Sequence, residues 1–457
     1  MLQPLPLKKV NPTSVKQRKT PLIVAPLAFA AVISAAANLR AGISSLGAVL
    51  EQVTAAFAAP ASVAGLLTAM PGFAFAIMGL AAVPIARRCG LSTTLLAGMV
   101  AMFIGLALRP LIGAHLPGGM ATFIVLTALV VAGIALLNVL LPAWIKQHAP
   151  RRSVVLMSCY SGFLGLSGAI APLSALWFSG AQAWRPALGT WAVLAAIQLV
   201  VWVFVVAKVG IDKPSKPSKP SKPVKPQHHQ PVAQRSQESA GSCEGRDSVE
   251  QALEKTSLWR SPTAVAMMVL FGLQSSNAYV QMGWLPQILI DQGVAPGRAA
   301  VALAVLGCVN VIGGVSMPFV VARIRDLRPL IVVFGVLTTG GYVGIIFAGA
   351  LSPEVWAIVL GLGGMCFPTI LALLAERTCT PEVTARLSGF VQPYGYLMAG
   401  LLPLLIGFVY QATGQWLLIL TAMALTGVGM SALGYRAGKK VFIDDELVQA
   451  ARPEIAG

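Results

Sequence analysis

The sequence predicts an all-α membrane protein whose twelve transmembrane helices form two halves of six. Of its 457 residues, 56% are hydrophobic and only 11% are charged, with a mean hydropathy of +0.77. A soluble domain carries about 25% charged residues. Apolar runs of about 20 residues, long enough to cross a bilayer, recur along the chain. One hydrophilic segment divides these runs into six and six.

The runs define five regions in order. A polar, basic N-terminal tail at 1–21 precedes an N-terminal half at 22–207, a linker at 208–260, a C-terminal half at 261–436 and a C-terminal tail at 437–457. The apolar runs of the first half are about 22–50, 61–86, 91–109, 119–145, 153–178 and 186–207. Those of the second half are about 262–289, 297–322, 329–349, 354–376, 386–410 and 414–436.

The first run is predicted to be a retained helix. Its basic flank and the Ala35-Ala36-Ala37 stretch resemble a secretory signal with a small-residue cleavage site. The run continues past these alanines to Leu50, and many more spans follow. Cleavage is therefore not expected.

The linker is predicted to be disordered. Lys-Pro-Ser repeats from Lys213 to Lys222 favour an extended polyproline conformation, and the composition cannot form a core. The C-terminal tail is short and mixed in charge.

The distribution of basic residues predicts the orientation. If both termini and the even-numbered connections are cytoplasmic, all but four of the 33 Lys and Arg residues lie on the cytoplasmic side; the exceptions are Arg40, Arg109, Arg185 and Arg298. This agrees with the positive-inside rule for a plasma-membrane protein. The net charge of +17 is then explained by topology and contact with anionic lipids, and nucleic-acid binding is not expected.

Cofactor and enzyme chemistry are not indicated. The six cysteines have no disulfide or metal-like spacing, and the four histidines fall in loops or the linker. A membrane enzyme would need clustered His, Asp or Ser within its spans, and none is seen. A receptor or structural protein remains an alternative class, although neither requires polar residues in spans one and seven.

Asn38-Leu39-Arg40 lies inside the otherwise small and apolar first run. A charge at a helix centre costs roughly 2.5–3.5 kcal/mol on insertion scales. Arg40 lies roughly 27 Å along a helix from Leu22, at 1.5 Å per residue, so it could also snorkel to the headgroups. Two interpretations stay open: an inward-facing, substrate-binding Arg with Asn38 beside it, or an interfacial anchor.

A polar stripe marks predicted span seven. Gln274, Asn277, Gln281 and Trp284 recur every three or four residues and so share one helix face. The stripe should face a cavity shared with Arg40, or other helices through interhelical hydrogen bonds of about 0.6 kcal/mol each. Spans one and seven are equivalent by position in the two halves, which favours the cavity.

Further polar side chains within apolar spans are secondary candidates: Asn138, Tyr160, Asn310, Gln392, Tyr394 and Tyr396. Tyr394 and Tyr396 cannot face one direction, being two residues apart on a helix. The predicted substrate-binding set is Arg40, Asn38, Gln274, Asn277, Asn138, Gln392 and Tyr394.

Carboxylates are absent from the middle of the predicted spans. Glu51, Asp291 and Glu354 fall in outer loops, and Asp326, Glu376 and Glu382 fall at or near inner ones. A lone central Arg with amides and aromatic rings suits a small anion or a polarised planar molecule, because Arg supplies a fixed fork of donors.

Two halves of six spans joined by a long basic loop resemble the major facilitator superfamily of transporters, over about 20–440. The superfamily's loop motif between spans two and three is degenerate here, as Pro84 to Gly90 with Arg87 and Arg88 but no Asp. Its later counterpart, Pro318 to Arg328, keeps Arg323, Arg325, Asp326 and Arg328. The resemblance implies that Arg87, Arg88, Arg323, Asp326 and Arg328 stabilise an inner gate.

Within the superfamily the chain is similar to the cyanate permease and 2-nitroimidazole transporter branch. The matching pieces are Asn38-Leu39-Arg40 with Ser44 to Gly47, Leu66 to Pro71, Gly133 to Asn138 with Leu141 to Lys146, Trp284-Leu285-Pro286, and Gln392. Asn138 departs from the Gln expected in a cyanate-type sequence, and a shorter amide would alter the pocket.

The resemblance and the residues together predict a secondary transporter for a small anionic or polar, cyanate-like solute, working by alternating access. An efflux pump for small nitroaromatic or drug-like compounds is the alternative. Expected partners are the small-molecule substrate and membrane lipids, with a monomeric chain.

Overall fold

The computed structural model describes residues 24–113, 116, 119–210, 212, 256–324, 326–379 and 381–455. Within these ranges the chain is helical, and its only β contact is an isolated bridge between Ile112 and Leu116. The predicted all-α class is confirmed. The predicted disorder of the linker falls mostly outside the described residues.

The N-terminal half consists of six spans. They are Ala25–Asn38 with Ala41–Ala48, Ala61–Cys89, Leu91–Leu108, Met120–His148, Ser153–Ile170 and Trp184–Val209. A short helix, Leu50–Ala56, follows span one. Single 3₁₀ turns, Arg109–Leu111 and Ala171–Leu176, extend spans three and five.

The C-terminal half repeats this arrangement. Its spans are Pro262–Asp291, Pro296–Arg323, Arg328–Ala348, Pro353–Gly364 with Cys366–Glu376, Pro381–Thr413 and Trp416–Ala437. Eleven described helices are long and apolar enough to cross a membrane. The remaining long helix is span seven, Pro262–Asp291, which carries the polar stripe. Together they give the twelve spans that the sequence predicts.

Two spans are interrupted near their middle. Span one, predicted as one run, breaks at Leu39 and Arg40, where helical hydrogen bonding resumes only at Arg40 O. Span ten breaks at Met365, directly after Gly363 and Gly364. In membrane transporters, such broken helices occur where the backbone lines a protein-enclosed site.

We call the end of the bundle that carries Ala25, Val209 and Pro262 the linker face, and the opposite end the distal face. Spans two and eleven run antiparallel along the first contact between the halves, with glycine against glycine. A methyl group added at Gly65 would lie 2.9 Å from Cα of Gly407, but one at Gly79, nearer the linker face, would lie 3.7 Å from Cγ of Pro393. A methyl group at Gly72, near the middle of span two, would lie 2.4 Å from the backbone nitrogen of Gly400. This contact is therefore tight from the distal face to the middle of the spans and looser toward the linker face.

Spans five and eight form the second contact between the halves. A methyl group on Gly307 would lie 2.7 Å from Cα of Ala169, and one on Gly165 would meet Val311 at 2.5 Å. One turn nearer the linker face, the same register places Gly162 opposite Gly314. A methyl group added at either glycine would have no neighbouring atom within 4 Å. The two halves therefore touch toward the distal face and stand apart toward the linker face.

The distal face is also joined by polar and backbone contacts. The Ser62 backbone N–H donates to Oε1 of Gln411 at 3.0 Å, linking spans two and eleven. Gly47 lies against the Met282 backbone, and Gly283 lies against Thr68, so the span-one side also closes on span seven. In the part of the chain that the structure describes, the two halves are thus closed at the distal face and separated toward the linker face.

Asp212, three residues past the end of span six, is anchored at the linker face. Its carboxylate accepts hydrogen bonds from the Ser92 backbone N–H at 2.8 Å and the Ser92 hydroxyl at 2.7 Å. His148 Nε2 lies 3.0 Å from the same carboxylate, and both side chains are almost completely buried. Asp212 therefore caps the start of span three and ties it to the end of span four.

The C-terminal tail is not loose beyond span twelve. It forms a helix, Ile443–Ile455, whose Ile443 and Leu447 side chains are fully buried. Glu446 accepts from the Thr263 backbone N–H at 3.0 Å and the Thr263 hydroxyl at 2.7 Å at the start of span seven. This amphipathic helix closes the base of the C-terminal half.

Candidate substrate-binding site

Arg40 occupies the break in span one and faces the other half. Its side chain is half-buried, and Nη1 donates to Sδ of Met282 in span seven at 3.7 Å. The Ser44 hydroxyl donates to the same sulfur at 3.8 Å. A sulfur atom is a weak acceptor, and the described residues provide the guanidinium with no carboxylate. Most of its donors therefore remain available to a ligand.

Three tyrosines from three spans lie near this guanidinium. Tyr160, Tyr279 and Tyr396 all lie within electrostatic reach of Arg40. They come from spans five, seven and eleven, so both halves contribute to the site. Phenol rings beside a guanidinium combine a cation, hydroxyl groups and flat apolar faces.

An aromatic wall adjoins the same point. The ring of Tyr396 lies 5.0 Å from Phe75 and 5.0 Å from Phe271, measured between centroids, and 6.5 Å from Tyr279. Rings at these separations attract one another and form one packed aromatic cluster.

Asn138 is engaged at both ends of its amide. Oδ1 accepts a hydrogen bond from the Tyr160 hydroxyl at 3.0 Å, and Nδ2 donates to the Ile134 carbonyl at 2.9 Å. The structure therefore brings Asn138 to the Arg40 site through Tyr160.

Most of the span-seven stripe turns toward its own half. Asn277 donates to Thr426 of span twelve at 2.9 Å, and Gln281 donates to Tyr342 of span nine at 3.3 Å. Both are buried, so the structure does not bring Asn277 to Arg40. Asn277 and Gln281 therefore make interhelical hydrogen bonds, which is the second of the two alternatives that the sequence left open. The span-seven side chain that contacts Arg40 is Met282.

Three predicted residues, Asn38, Gln274 and Asn277, each keep a buried side-chain oxygen without a partner among the described residues. Gln274 donates to the Gly364 carbonyl at the break in span ten at 3.5 Å, but its Oε1 has no partner among the described residues. Asn38 donates to its own helix at Ser34, and its Oδ1 is likewise unpartnered there. An unmet buried acceptor is costly unless a donor reaches it.

Span eleven presents Tyr396, not Tyr394, to the site. Tyr394 is 45% exposed and contacts Trp259 at 5.4 Å and Phe390 at 5.4 Å, between ring centroids. Two residues correspond to about 200° on an α-helix, so only one of the pair can face Arg40. The sequence predicts Tyr394 in the pocket, but Tyr394 is the one of the two tyrosines that faces away from Arg40. Gln392 donates to Ser388 at 2.7 Å and is half-buried.

Arg109 is a buried charge that the sequence does not reveal. Its position before Pro110, at the end of an apolar run, predicts an outer loop, but its side chain is fully buried. Nη1 and Nη2 lie 3.4 and 3.3 Å from the Gly42 carbonyl, two residues past Arg40. Composition offers no signal for this contact, because Arg109 ends an apolar run like any interfacial Arg.

The predicted gate residues lie at the linker face. Arg87, Arg88 and Arg323 are exposed. Asp326 pairs with Arg328 at 2.8 Å, two residues away in the same half. Arg325 lies outside the described residues. In this open conformation no hydrogen bond or ion pair of these described residues crosses between the halves.

Two six-helix halves meeting at a polar centre, with one face closed, define a multi-pass membrane transporter. The chain belongs to the Major Facilitator Superfamily, whose family profile matches residues 27–403. The family predicted from the sequence is thereby confirmed, and the protein is a transporter rather than an enzyme.

Relatives and solved structures agree with this assignment. The 2-nitroimidazole transporter of Escherichia coli (strain K12) is 29% identical over 417 residues, covering 90% of this chain and 95% of that protein. The cyanate transport protein CynX of the same organism is 25% identical over 412 residues, covering 87% and 94%. The crystal structure of a D-xylose-proton symporter superposes with a TM-score of 0.67 at 14% identity, covering 92% and 98%, and so shows the shared fold.

Proposed function

We propose that the protein carries a small anionic or polar planar solute, cyanate-like in size and charge, by alternating access of its two halves. Arg40 is the anion-binding group. The observation that carries this proposal is a central guanidinium whose one hydrogen bond in the described structure goes to a thioether of the opposite half. A half-buried cation inside the membrane with unused donors is costly unless an anion reaches it.

The surroundings support the same role. Tyr160 belongs to one half and Tyr396 to the other, so a ligand at Arg40 would touch both halves at once. Such a position suits alternating access, in which a midplane site lies between two bodies that rock around it. The relatives named for cyanate and 2-nitroimidazole are consistent with a small, planar solute.

Binding of cyanate and nitrate to the purified protein, measured by calorimetry, tests the role of Arg40. Arg40→Ala should weaken binding of either anion at least tenfold, since it removes a charge-assisted hydrogen bond of about 1.5–3 kcal/mol. Arg298→Ala is the matched control, because it removes a cation paired with Glu354 at 2.8 Å near the distal face. Unchanged anion affinity in folded Arg40→Ala would refute the proposal.

A second candidate is export of nitroaromatic compounds. The aromatic wall of Phe75, Phe271, Tyr279 and Tyr396 favours it, because stacked rings recognise a flat aromatic ligand better than a three-atom anion. Phe75→Ala distinguishes the candidates. It should weaken 2-nitroimidazole binding while leaving cyanate binding nearly unchanged if aromatic compounds use the wall.

We also propose that the linker face is cytoplasmic, in the plasma membrane, and that a monomer in contact with anionic lipids is the functional unit. Exposed Arg87, Arg88, Arg151 and Arg152 at that face support this orientation. In the same proposal Arg87, Arg88, Arg323, Asp326 and Arg328 form the inner gate when the linker face closes.

A further inference from the structure

The hydrogen bonds around Asn138 fix which way its amide points. Its nitrogen lies 2.9 Å from the Ile134 carbonyl, which can only accept. Turning the amide over would place two oxygens against each other. Oδ1 therefore faces Tyr160, 3.0 Å away, and an amide oxygen can only accept.

The Tyr160 hydroxyl must then donate its single proton to Asn138. A phenol has one proton and two lone pairs, so the hydroxyl has only lone pairs left for its other neighbours. Arg40 is one such neighbour, since the guanidinium acts on Tyr160 electrostatically. The residue is only partly buried, so it borders the space between the halves.

We propose that Asn138 is a positioning residue that makes the Tyr160 hydroxyl a pure acceptor, and that Tyr160 thereby selects the solute. This rests on the proposed function, since it takes Arg40 as the anion site. Arg40 binds the acceptor end of the solute, while Tyr160 accepts from an N–H or O–H on the same solute. The substrate class is a small planar monoanion or polar solute that retains a hydrogen-bond donor.

The Tyr160 lone pairs disfavour a solute made only of acceptors. Such a solute satisfies Arg40 but leaves the phenol oxygen facing another acceptor. A site that hydrogen-bonds one group of its ligand discriminates against an analogue lacking that group, because a polar atom is left unpaired.

Bicarbonate and nitrate form a matched pair of probes. Both are planar monoanions of similar size, and only bicarbonate carries an O–H. We define the selectivity as the Kd for nitrate divided by the Kd for bicarbonate, measured by calorimetry near pH 8 on full-length protein. The expected wild-type value exceeds one.

Three variants separate positioning from structure. Tyr160→Phe should lower the selectivity about two- to tenfold, the equivalent of one neutral hydrogen bond. Asn138→Leu keeps the branched shape of the side chain but frees the Tyr160 proton, so nitrate should bind more tightly and the selectivity should also fall. The double variant should match Tyr160→Phe, since Asn138 acts only through the hydroxyl.

Three outcomes would contradict this inference. If Asn138→Leu weakens both anions by one factor, the residue is only structural and the inference is wrong. If it changes the selectivity in the Tyr160→Phe background, it does not act through Tyr160. A wild-type selectivity of one, with nitrate binding still lost in Arg40→Ala, overturns this inference and leaves the proposed function intact. Thermal unfolding of each variant confirms that it is folded.

Discussion

Two arginines within the bundle show how surroundings decide the role of a charge. Arg109 is fully buried, and its Nη1 and Nη2 donate to the Gly42 carbonyl, while its Nε has no partner among the described residues. Arg40 is half-buried and lies near three tyrosines, and its one hydrogen bond among the described residues goes to a sulfur. The first therefore ties span three to the break in span one, and the second is left available for a solute.

Arg40→Lys should retain the charge but bind an anion more weakly than wild type. Lysine offers a compact ammonium in place of a planar fork, so bidentate contact is lost. We expect the Kd for nitrate to rise a few-fold, less than in Arg40→Ala. Calorimetry on the three proteins checks this order. Equal losses in both variants would mean that charge contributes nothing and only the fork matters.

Asn277→Ala should reduce stability without changing anion affinity. Its amide donates to Thr426 and to the Leu273 carbonyl, and neither contact reaches Arg40. Loss of a buried hydrogen bond costs about 1 kcal/mol. Thermal unfolding and nitrate binding measured on one preparation separate the two effects. A weaker anion affinity at unchanged stability would restore Asn277 to the binding site.

At the scale of helices, the contacts between the halves form a wedge. Spans two and eleven, and spans five and eight, approach backbone to backbone near the distal face. Toward the linker face the register continues, but Gly162 and Gly314 face open space. Closing the linker face by rocking one half on the other would bring these two glycines together.

Gly162→Leu should therefore block transport while leaving this open conformation intact. The added side chain meets no atom within 4 Å of its Cβ here, but it would fill the space that closure requires. Uptake or exchange in proteoliposomes should fall at least tenfold, with substrate binding retained. Gly340→Leu is the control, because Gly340 is exposed on span nine and also has open space around it. Normal turnover in Gly162→Leu would place the closing contact elsewhere.

The linker segment 213–240 and Asp212 just before it should respond oppositely to change. Deleting 213–240 should leave transport measurable, since that composition cannot form a core. Asp212→Asn should lower the thermal stability by about 1–3 kcal/mol, because buried Ser92 and His148 lose their ionised partner.

The effect of Asp212→Asn should depend on pH. Burial raises the pKa of Asp212, but hydrogen bonds from His148 and Ser92 outweigh burial and hold it below its usual value. Because the pKa of Asp212 is lower in the folded state than in the unfolded state, its ionised form stabilises the fold. This stabilisation is fully present above the unfolded-state pKa of about 3.9 and is lost as the pH falls through the folded-state pKa. Wild type and variant should converge only below about pH 4 in thermal unfolding. A difference that is constant down to pH 3 would assign the loss to shape and not charge.

At the scale of the whole molecule, the prediction concerns which face of the helix bundle lies on the cytoplasmic side of the membrane. Cysteines placed singly at Ser218 and Ala295 in a cysteine-free background should lie on opposite sides of the membrane. Ala295 is exposed at the distal face, and Ser218 lies in the linker. An impermeant thiol reagent added to intact cells should label only the cysteine at Ala295. Labelling at Ser218 would reverse the assignment of the two faces.

Long-range hydropathy is sufficient to predict the spans, since each run of some 20 apolar residues must form a helix in lipid. Arg40 also stands out in the sequence, because charge in such a run is rare. Which of Tyr394 and Tyr396 faces Arg40, and whether Asn277 faces the cavity or its own half, could not be decided from the sequence. Both depend on how far each helix is rotated about its axis, and a nearly uniform apolar helix has too little contrast between its faces to fix that rotation. Arg109 depends on tertiary contact alone.

Because Asp212 caps span three, the N-terminal half extends beyond the last residue of span six. Span six ends at Val209, but span three obtains its cap from a residue three positions further on. If the transporter were produced as two separate polypeptides that assemble in the membrane, a first chain ending at 207 would lack that cap and begin span three with unsatisfied N–H groups. A first chain ending just beyond Asp212 would keep the cap of span three, and the second chain could start at Thr256.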